Sequence, residues 1–157
     1  MNAEMPRDMA ARIEVIADEL DGGQSALLPI LHAVQIEWGY IPDAALPLIA
    51  NRLNLTRAEV YGVRTFYHDF RDQPPGERVV KLCRAEACQA SGGRALANRA
   101  LKTLGLEWYG TSPDRALTIE PVYCLGLCAL APAAMIDGKV YGHLDDERLA
   151  RLIAVPL

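Results

Sequence analysis

The chain has 157 residues and a mass of 17.2 kDa, enough for one domain or for a small domain with an appended unit. Hydrophobic residues make up 51% and charged residues 23%, an ordinary globular composition that excludes wholesale disorder. A formal net charge of −4 and a pI near 5.4 argue against nucleic acid as a primary partner, since neutralising phosphates takes a basic surface.

The first elements read as helices. Charges at Glu4, Arg7, Asp8, Arg12 and Glu14 leave no apolar segment for a signal peptide. Met9, Ile13, Ile16 and Leu20 recur at spacings of four, three and four, which places them on one helix face, and Gly22-Gly23 stops that helix. A second stretch, Leu27 to Val34, is expected to start from a cap at Ser25 and to end before Gly39-Tyr40-Ile41-Pro42. Asp43 reads as the N-cap of a third helix through Ile49 and Leu53. Thr56 with Glu59 three residues later is a capping-box signature for a fourth. This region is a small helical bundle, serving either packing alone or docking to another protein.

Gln73-Pro74-Pro75-Gly76 breaks helices and favours turns, so it reads as a linker between two units, 1–75 and 76–157. Charge divides along the same seam. Residues 1–75 carry 6 basic and 11 acidic side chains, and residues 76–157 carry 10 and 9. The second unit holds all four cysteines.

In that second unit the period changes. Arg78 to Leu82 is a short β-branched strand ending at Cys83, and Gly92-Gly93 precede a helix carrying Leu96, Ala100, Leu101 and Leu104. Leu117 to Val122 reads as a second strand, just before Cys124. Ala133 to Ile136, Asp137-Gly138 and Lys139 to Tyr141 form a hairpin, because Asp-Gly suits a type I′ turn. Asp145 can cap a last helix through Leu149 and Leu152. Strand, helix, strand, hairpin, helix is an α/β order, compatible with a thioredoxin-like sheet covered by helices. The longest uncharged stretch, Pro121 to Ile136, has 16 residues and two prolines, short of the roughly 20 that a membrane helix needs. The expectation is a soluble, cytoplasmic protein without direct membrane insertion.

The cysteines are spaced Cys83-x4-Cys88 and Cys124-x3-Cys128, with 35 residues between the pairs. Without a secretion signal, structural disulfides are disfavoured, which points to metal or redox chemistry. If the two strands are neighbours, their loops meet at one sheet edge and offer four thiolates to a soft centre. Structural zinc favours tight Cys-x2-Cys knuckles, whereas loops of four and three residues suit pairs that each hold one iron of an elongated 2Fe–2S cluster. Neither the plant-type ferredoxin spacing nor the thioredoxin Cys-x-x-Cys is present. Inert buried thiols, zinc and 2Fe–2S all stay open on spacing alone.

Small residues around the pairs, including Ala85, Ala87, Ala90, Gly92, Gly93, Gly126 and Ala129, allow backbone N–H groups to approach sulfur. Lys81 and Arg84 either lend positive charge to the site or are solvated surface charges. His32, His68 and His143 are scattered and read as surface or packing residues. Pro132 could lock the backbone after Cys128. No nucleotide-binding glycine motif and no serine-nucleophile elbow occurs.

Several segments together resemble a known family. They are Gly39-Tyr40-Ile41-Pro42, Val60-Tyr61-Gly62-Val63 followed by Thr65-Phe66-Tyr67, the spacing Cys83-x4-Cys88, and Cys124-Leu125-Gly126-Leu127-Cys128 with Ala131-Pro132. Between about Leu27 and Leu152 the chain is similar to the thioredoxin-like 2Fe–2S small subunit of NADH dehydrogenase-type modules. The resemblance implies a helical N-terminal unit that docks on a partner, then a thioredoxin-like ferredoxin domain. It implies that Cys83, Cys88, Cys124 and Cys128 hold a 2Fe–2S cluster. It also implies a neighbouring subunit that binds FMN and NADH and exchanges one electron with this chain, which has no catalytic residue of its own.

Three hosts use such a module: respiratory NADH:quinone oxidoreductase, NAD-linked hydrogenase and molybdenum-dependent NAD-linked formate dehydrogenase. The stretch Cys83-Arg84-Ala85-Glu86-Ala87-Cys88-Gln89 is most similar to the formate dehydrogenase gamma subunit, whereas respiratory subunits are expected to carry Thr where this chain has Glu86. That host would add a larger subunit containing molybdenum cofactor and further Fe–S clusters. The alternative from another class is a zinc-stabilised thioredoxin-like binding module.

Overall fold

The structure is a computed structural model describing residues 8–20 and 23–154. It divides into two compact units, Met1–Pro74 and Pro75–Leu157.

In the first unit, α1 (Met9–Glu19) and α2 (Leu27–Trp38) are joined through a single 3₁₀ turn at Gln24–Ala26, and α3 (Ala45–Leu53) and α4 (Arg57–Phe66) follow. The apolar faces legible in the sequence converge. Ile13, Ile30, Leu31, Val34, Ile41, Leu46, Ile49 and Val60 are fully buried in one cluster. At roughly 1.5–3 kcal/mol for each buried aliphatic side chain, this burial is what holds short helices that would be marginal alone.

Helix ends decide where these elements stop. Gly39 (φ 79°) terminates α2 in the left-handed conformation, and its N–H donates to Gln35 O at 2.8 Å. The helix therefore runs one turn beyond Val34. Of the expected stop Gly22-Gly23, Gly22 lies outside the described residues. Two expected caps are corrected. Ser25 sits within the 3₁₀ turn and caps nothing, and α2 begins after Ala26 without a side-chain cap. Asp43 does not cap α3, whose N-cap is Ala44; its carboxylate instead accepts from Arg64 Nη1 at 2.7 Å. Arg64 is itself buried and donates also to Ile41 O at 3.2 Å.

The capping box at α4 is complete. Thr56 Oγ1 accepts from Glu59 N at 3.2 Å, and Glu59 Oε2 accepts from Thr56 N and from its hydroxyl, each at 2.7 Å. These donors hold the Glu59 carboxyl below its ordinary value, the backbone N–H contributing most. A depressed carboxylate stabilises the fold above its unfolded pKa and loses that contribution as pH falls through the folded value. Thr56→Ala is expected to cost about 1 kcal/mol in urea unfolding of the full chain. It should also flatten the acid limb of the stability–pH curve below the ordinary carboxylate range.

In the second unit, β1 (Arg78–Cys83) is followed by the short α5 (Glu86–Ala90), then α6 (Gly93–Leu104), β2 (Leu117–Val122), β3 (Ala134–Ile136), β4 (Lys139–Tyr141) and α7 (Asp146–Ala154). The sheet order is β2-β1-β3-β4, with β1 and β2 parallel and the other pairs antiparallel. A parallel pair needs a crossover, and α5 with α6 supplies it. Val80, Leu82, Ile119, Ala134 and Ile136 from the sheet pack with Leu96, Ala97 and Leu149 from the helices. The β3–β4 turn places Asp137 (φ 49°) and Gly138 (φ 81°) in the left-handed region, as a type I′ turn requires. Asp145 caps α7 through Oδ1, which accepts from Arg148 N at 2.7 Å. The fold is mixed α/β, helices first and then a thioredoxin-like four-stranded sheet.

Candidate metal centre

Parallel pairing puts the C-terminal ends of β1 and β2 at the same sheet edge. Cys83, the last residue of β1, lies opposite Val122, the last of β2, and Cys124 follows two residues later. The chain leaves Cys83, reaches Ala85 as N-cap, and turns into α5, which carries Cys88. Cys128 opens a 3₁₀ turn through Leu130. Strand adjacency and two tight local turns thus bring the pairs together from 35 residues apart.

The pairs differ in environment. Cys83 and Cys88 are 6% and 2% exposed, within an apolar group formed by Ala133, Ala85, Val122, Leu125, Leu127 and Ala131. Cys124 and Cys128 are exposed, and all four are free thiols. Burial first, and then the neighbouring Cys83 thiol, push the Cys88 thiol up, partly offset by a hydrogen bond from the Ala133 backbone. Cys128 is raised chiefly by Cys124, whose thiol and charge both disfavour a second thiolate beside it. Influence also crosses between the pairs: charge on Cys128 raises Cys88, and charge on Cys83 raises Cys128. Cys88 and Cys128, one from each pair, therefore resist ionisation unless a cationic centre takes their charge.

The donor set fits a thiophilic iron–sulfur group. Two thiols on the β1–α5 segment and two on the loop after β2 offer it soft donors, and among the described residues no three or more Cys, His, Asp or Glu side chains gather as a single ion's cage. Gly126 N lies 3.4 Å from Cys124 Sγ as a donor. The loop achieves this with Cys124 at φ 109° and Gly126 at φ 76°, backbone that costs a non-glycine residue about 1–3 kcal/mol and tends to mark functional loops. At Gly93 a Cβ would stand 2.6 Å from the Cys88 carbonyl oxygen, so only glycine lets α6 start this close to the thiol-bearing turn. His143 N and Leu144 N donate to Leu130 O (2.6 Å) and Pro132 O (3.1 Å), pinning the second loop, and the Ala131–Pro132 peptide is cis.

The structure separates the other candidates. Lys81 is tied to Glu120 at 3.5 Å on the neighbouring strand, and the Arg84 guanidinium stacks 5.0 Å from the Trp108 ring centroid. Neither is a freely solvated charge. His32, His68 and His143 are exposed, and His32 meets Phe70 edge-on. Sequence reasoning missed α5 and the role of Ala133. Five residues are too few to show a period, although the run Ala85-Glu86-Ala87-Cys88-Gln89-Ala90 has strong helix propensity.

A four-stranded thioredoxin-like sheet with two cysteine loops at one edge defines a class of iron–sulfur protein. Residues 13–155 match the thioredoxin-like [2Fe-2S] ferredoxin family, and the chain belongs to it. It carries a 2Fe–2S cluster and is of the small-subunit type found in NADH dehydrogenase-like modules. Among similar proteins, a subunit of the NADH-quinone oxidoreductase of Mycobacterium tuberculosis is 36% identical over 152 residues, covering 94% of this chain and 60% of that protein. A subunit of the NADP-reducing hydrogenase of Solidesulfovibrio fructosivorans is 28% identical, covering 98% and 90%. The crystal structure of an NAD+-reducing [NiFe]-hydrogenase in the H2-reduced state matches with a TM-score of 0.69 and 26% identity, over 83% of this chain and 23% of that one. This chain thus spans 60% of the mycobacterial relative and a minor part of the hydrogenase chain. Among the described residues, no helix is long and apolar enough to cross a membrane.

Proposed function

We propose that this chain is the electron-transfer subunit of a cytoplasmic, NAD-dependent formate dehydrogenase complex. It exchanges one electron with the FMN of a partner NADH-binding subunit and is itself non-catalytic. Cys83, Cys88, Cys124 and Cys128 hold the cluster, one iron to each pair. The observation that carries this reading is the exit of both thiol pairs from one edge of the parallel β1–β2 ladder. When bound, the cluster supplies a one-electron store.

The chain's own residues do the rest. Ala85, Ala133 and Leu127 keep water from the buried pair, and the Gly126 N–H favours added negative charge on Cys124 Sγ. Exposed Cys124 and Cys128 put the outer pair within a partner's reach. Unit 1–75 docks on the flavin subunit, and Phe66 at the end of α4, 74% exposed, offers it an apolar contact. A larger subunit with molybdenum and further Fe–S clusters completes the complex.

The segment Cys83 to Gln89 supports the formate dehydrogenase host. A second reading, the same role in NADH:quinone oxidoreductase or an NAD-linked hydrogenase, is favoured by the functions named for the relatives. Anaerobically purified protein is expected to hold about two irons and two acid-labile sulfides per chain and no zinc. One zinc without sulfide would end the electron-transfer reading. The complex co-purified with this chain is expected to reduce NAD with formate. NADH oxidation by quinone, or NAD reduction by hydrogen, in its place would select the second reading.

A further inference from the structure

Lys81 and Glu120 are directly opposite in the parallel ladder, two residues before the Cys83–Val122 pair that ends it. Strand side chains alternate, so Lys81 shares a face with Cys83 and Glu120 shares one with Val122, about 7 Å along each strand. Val122 packs against the apolar group that encloses Cys83 and Cys88. The Lys81 side chain is 18% exposed and that of Glu120 only 8%, with Nζ and Oε2 3.5 Å apart. Surface ion pairs matter little. This one is largely removed from water and stands beside a site whose charge changes by one on reduction.

We propose that Lys81 and Glu120 form a charge-balanced rung that sets the reduction potential of the cluster held at Cys83, with Glu120 cancelling the pull of the Lys81 ammonium. The inference rests on the assignment of Cys83 as a cluster ligand. A positive charge near the site favours the reduced state and a negative one opposes it. Paired, they nearly cancel at the distance of the thiols. Removing the carboxylate alone changes the charge at the rung by one unit, acting through a medium of effective dielectric about 20, where a unit charge some 10 Å away changes an equilibrium by about tenfold.

The test is potentiometric titration of the full-length, cluster-loaded chain, followed by visible absorption and EPR. Glu120→Gln is expected to favour reduction by about tenfold, equivalent to a rise of about 59 mV for a one-electron couple. Glu120→Asp, which keeps the charge, should remain within about twofold of the native chain, and so should Lys81→Met/Glu120→Gln, which leaves the rung neutral. A loaded Glu120→Gln protein with an unchanged potential overturns the inference. A double variant shifted as far as the single one also overturns it, because packing would then be the cause. Should Glu120→Gln fail to load, the double variant, which keeps the native sum of charge at the rung, must still load; loss in both overturns the proposal. Failure of the underlying assignment looks different, as a native chain without iron and sulfide.

Discussion

Cys83→Ser and Cys88→Ser are expected to purify with under about a quarter of the native iron and sulfide, whereas Cys124→Ser and Cys128→Ser retain a weakened cluster with a blue-shifted spectrum. All four substitutions swap a soft thiolate for a harder, poorer ligand. The difference between the pairs comes from burial. A serine hydroxyl at Cys88, 2% exposed among Ala133, Ala85 and Leu127, must ionise in an apolar pocket, where desolvation already raises the native thiol. At the exposed Cys124 and Cys128 positions, water stabilises an oxygen ligand. Iron and sulfide analysis with visible absorption on each variant checks the ranking. An unchanged spectrum in Cys124→Ser would remove that residue from the ligand set. Loss of metal should also loosen the loops around Ala85 and Leu125, because metal binding and folding are coupled.

What the sequence carried was mostly local. β1 and β2 were legible to within a residue because runs such as Arg78-Val79-Val80-Lys81-Leu82 have no competing helical period. The Thr56–Glu59 box and the Asp137-Gly138 turn were legible because each is closed by residues within three positions. The failed caps needed distant partners. Asp43 is taken by Arg64, 21 residues on, and no local pattern announces such a competitor. Ser25 lost its role because the preceding turn is 3₁₀ and displaces the helix start past it. The meeting of the four thiols followed from the strands, but the division into a buried and an exposed pair did not. That division depends on α5 and on Ala133, which donates to Cys88 and accepts from Cys83 N at 3.0 Å across the β1–β3 edge. Likewise, Lys81 and Glu120 are ordinary charges until the register makes them opposite.

Arg78→Met is expected to destabilise the second unit of the cluster-free protein by about 3 kcal/mol, the lower end of the cost of removing one partner from a buried ion pair, because this pair is part-buried. Arg78 opens β1 and joins three elements. Its Nε and Nη2 both reach Asp137 Oδ2 at 2.8 Å, fixing the hairpin turn, while Nη1 donates to Leu152 O at 3.1 Å and Ile153 O at 2.6 Å. The last two contacts satisfy carbonyls at the end of α7, where a cation also complements the helix dipole. Asp137 Oδ1 meanwhile accepts from Val79 N at 2.9 Å, so the substitution leaves this carboxylate near-buried and stripped of its guanidinium. Arg78→Lys should fall between, since an ammonium cannot serve both ends of the fork. Arg78→Met/Asp137→Asn should recover part of the loss, because asparagine accepts from Val79 N without a charge and tolerates the left-handed turn.

One tryptophan lies in each unit, Trp38 in the first and Trp108 in the second, so urea unfolding in a Trp38→Phe background reports the second unit alone. An equal loss reported by Trp38 in a Trp108→Phe background would mean that the two units unfold as one. With the cluster bound the deficit should grow, because a ligand that binds only the folded state stabilises it by mass action and the variant, its β1 anchor lost, binds that ligand more weakly and gains less. A deficit of the same size with and without the cluster would mean that the loops at Cys83 and Cys124 form independently of the strand Arg78 anchors. It would break the link between this sheet and its metal.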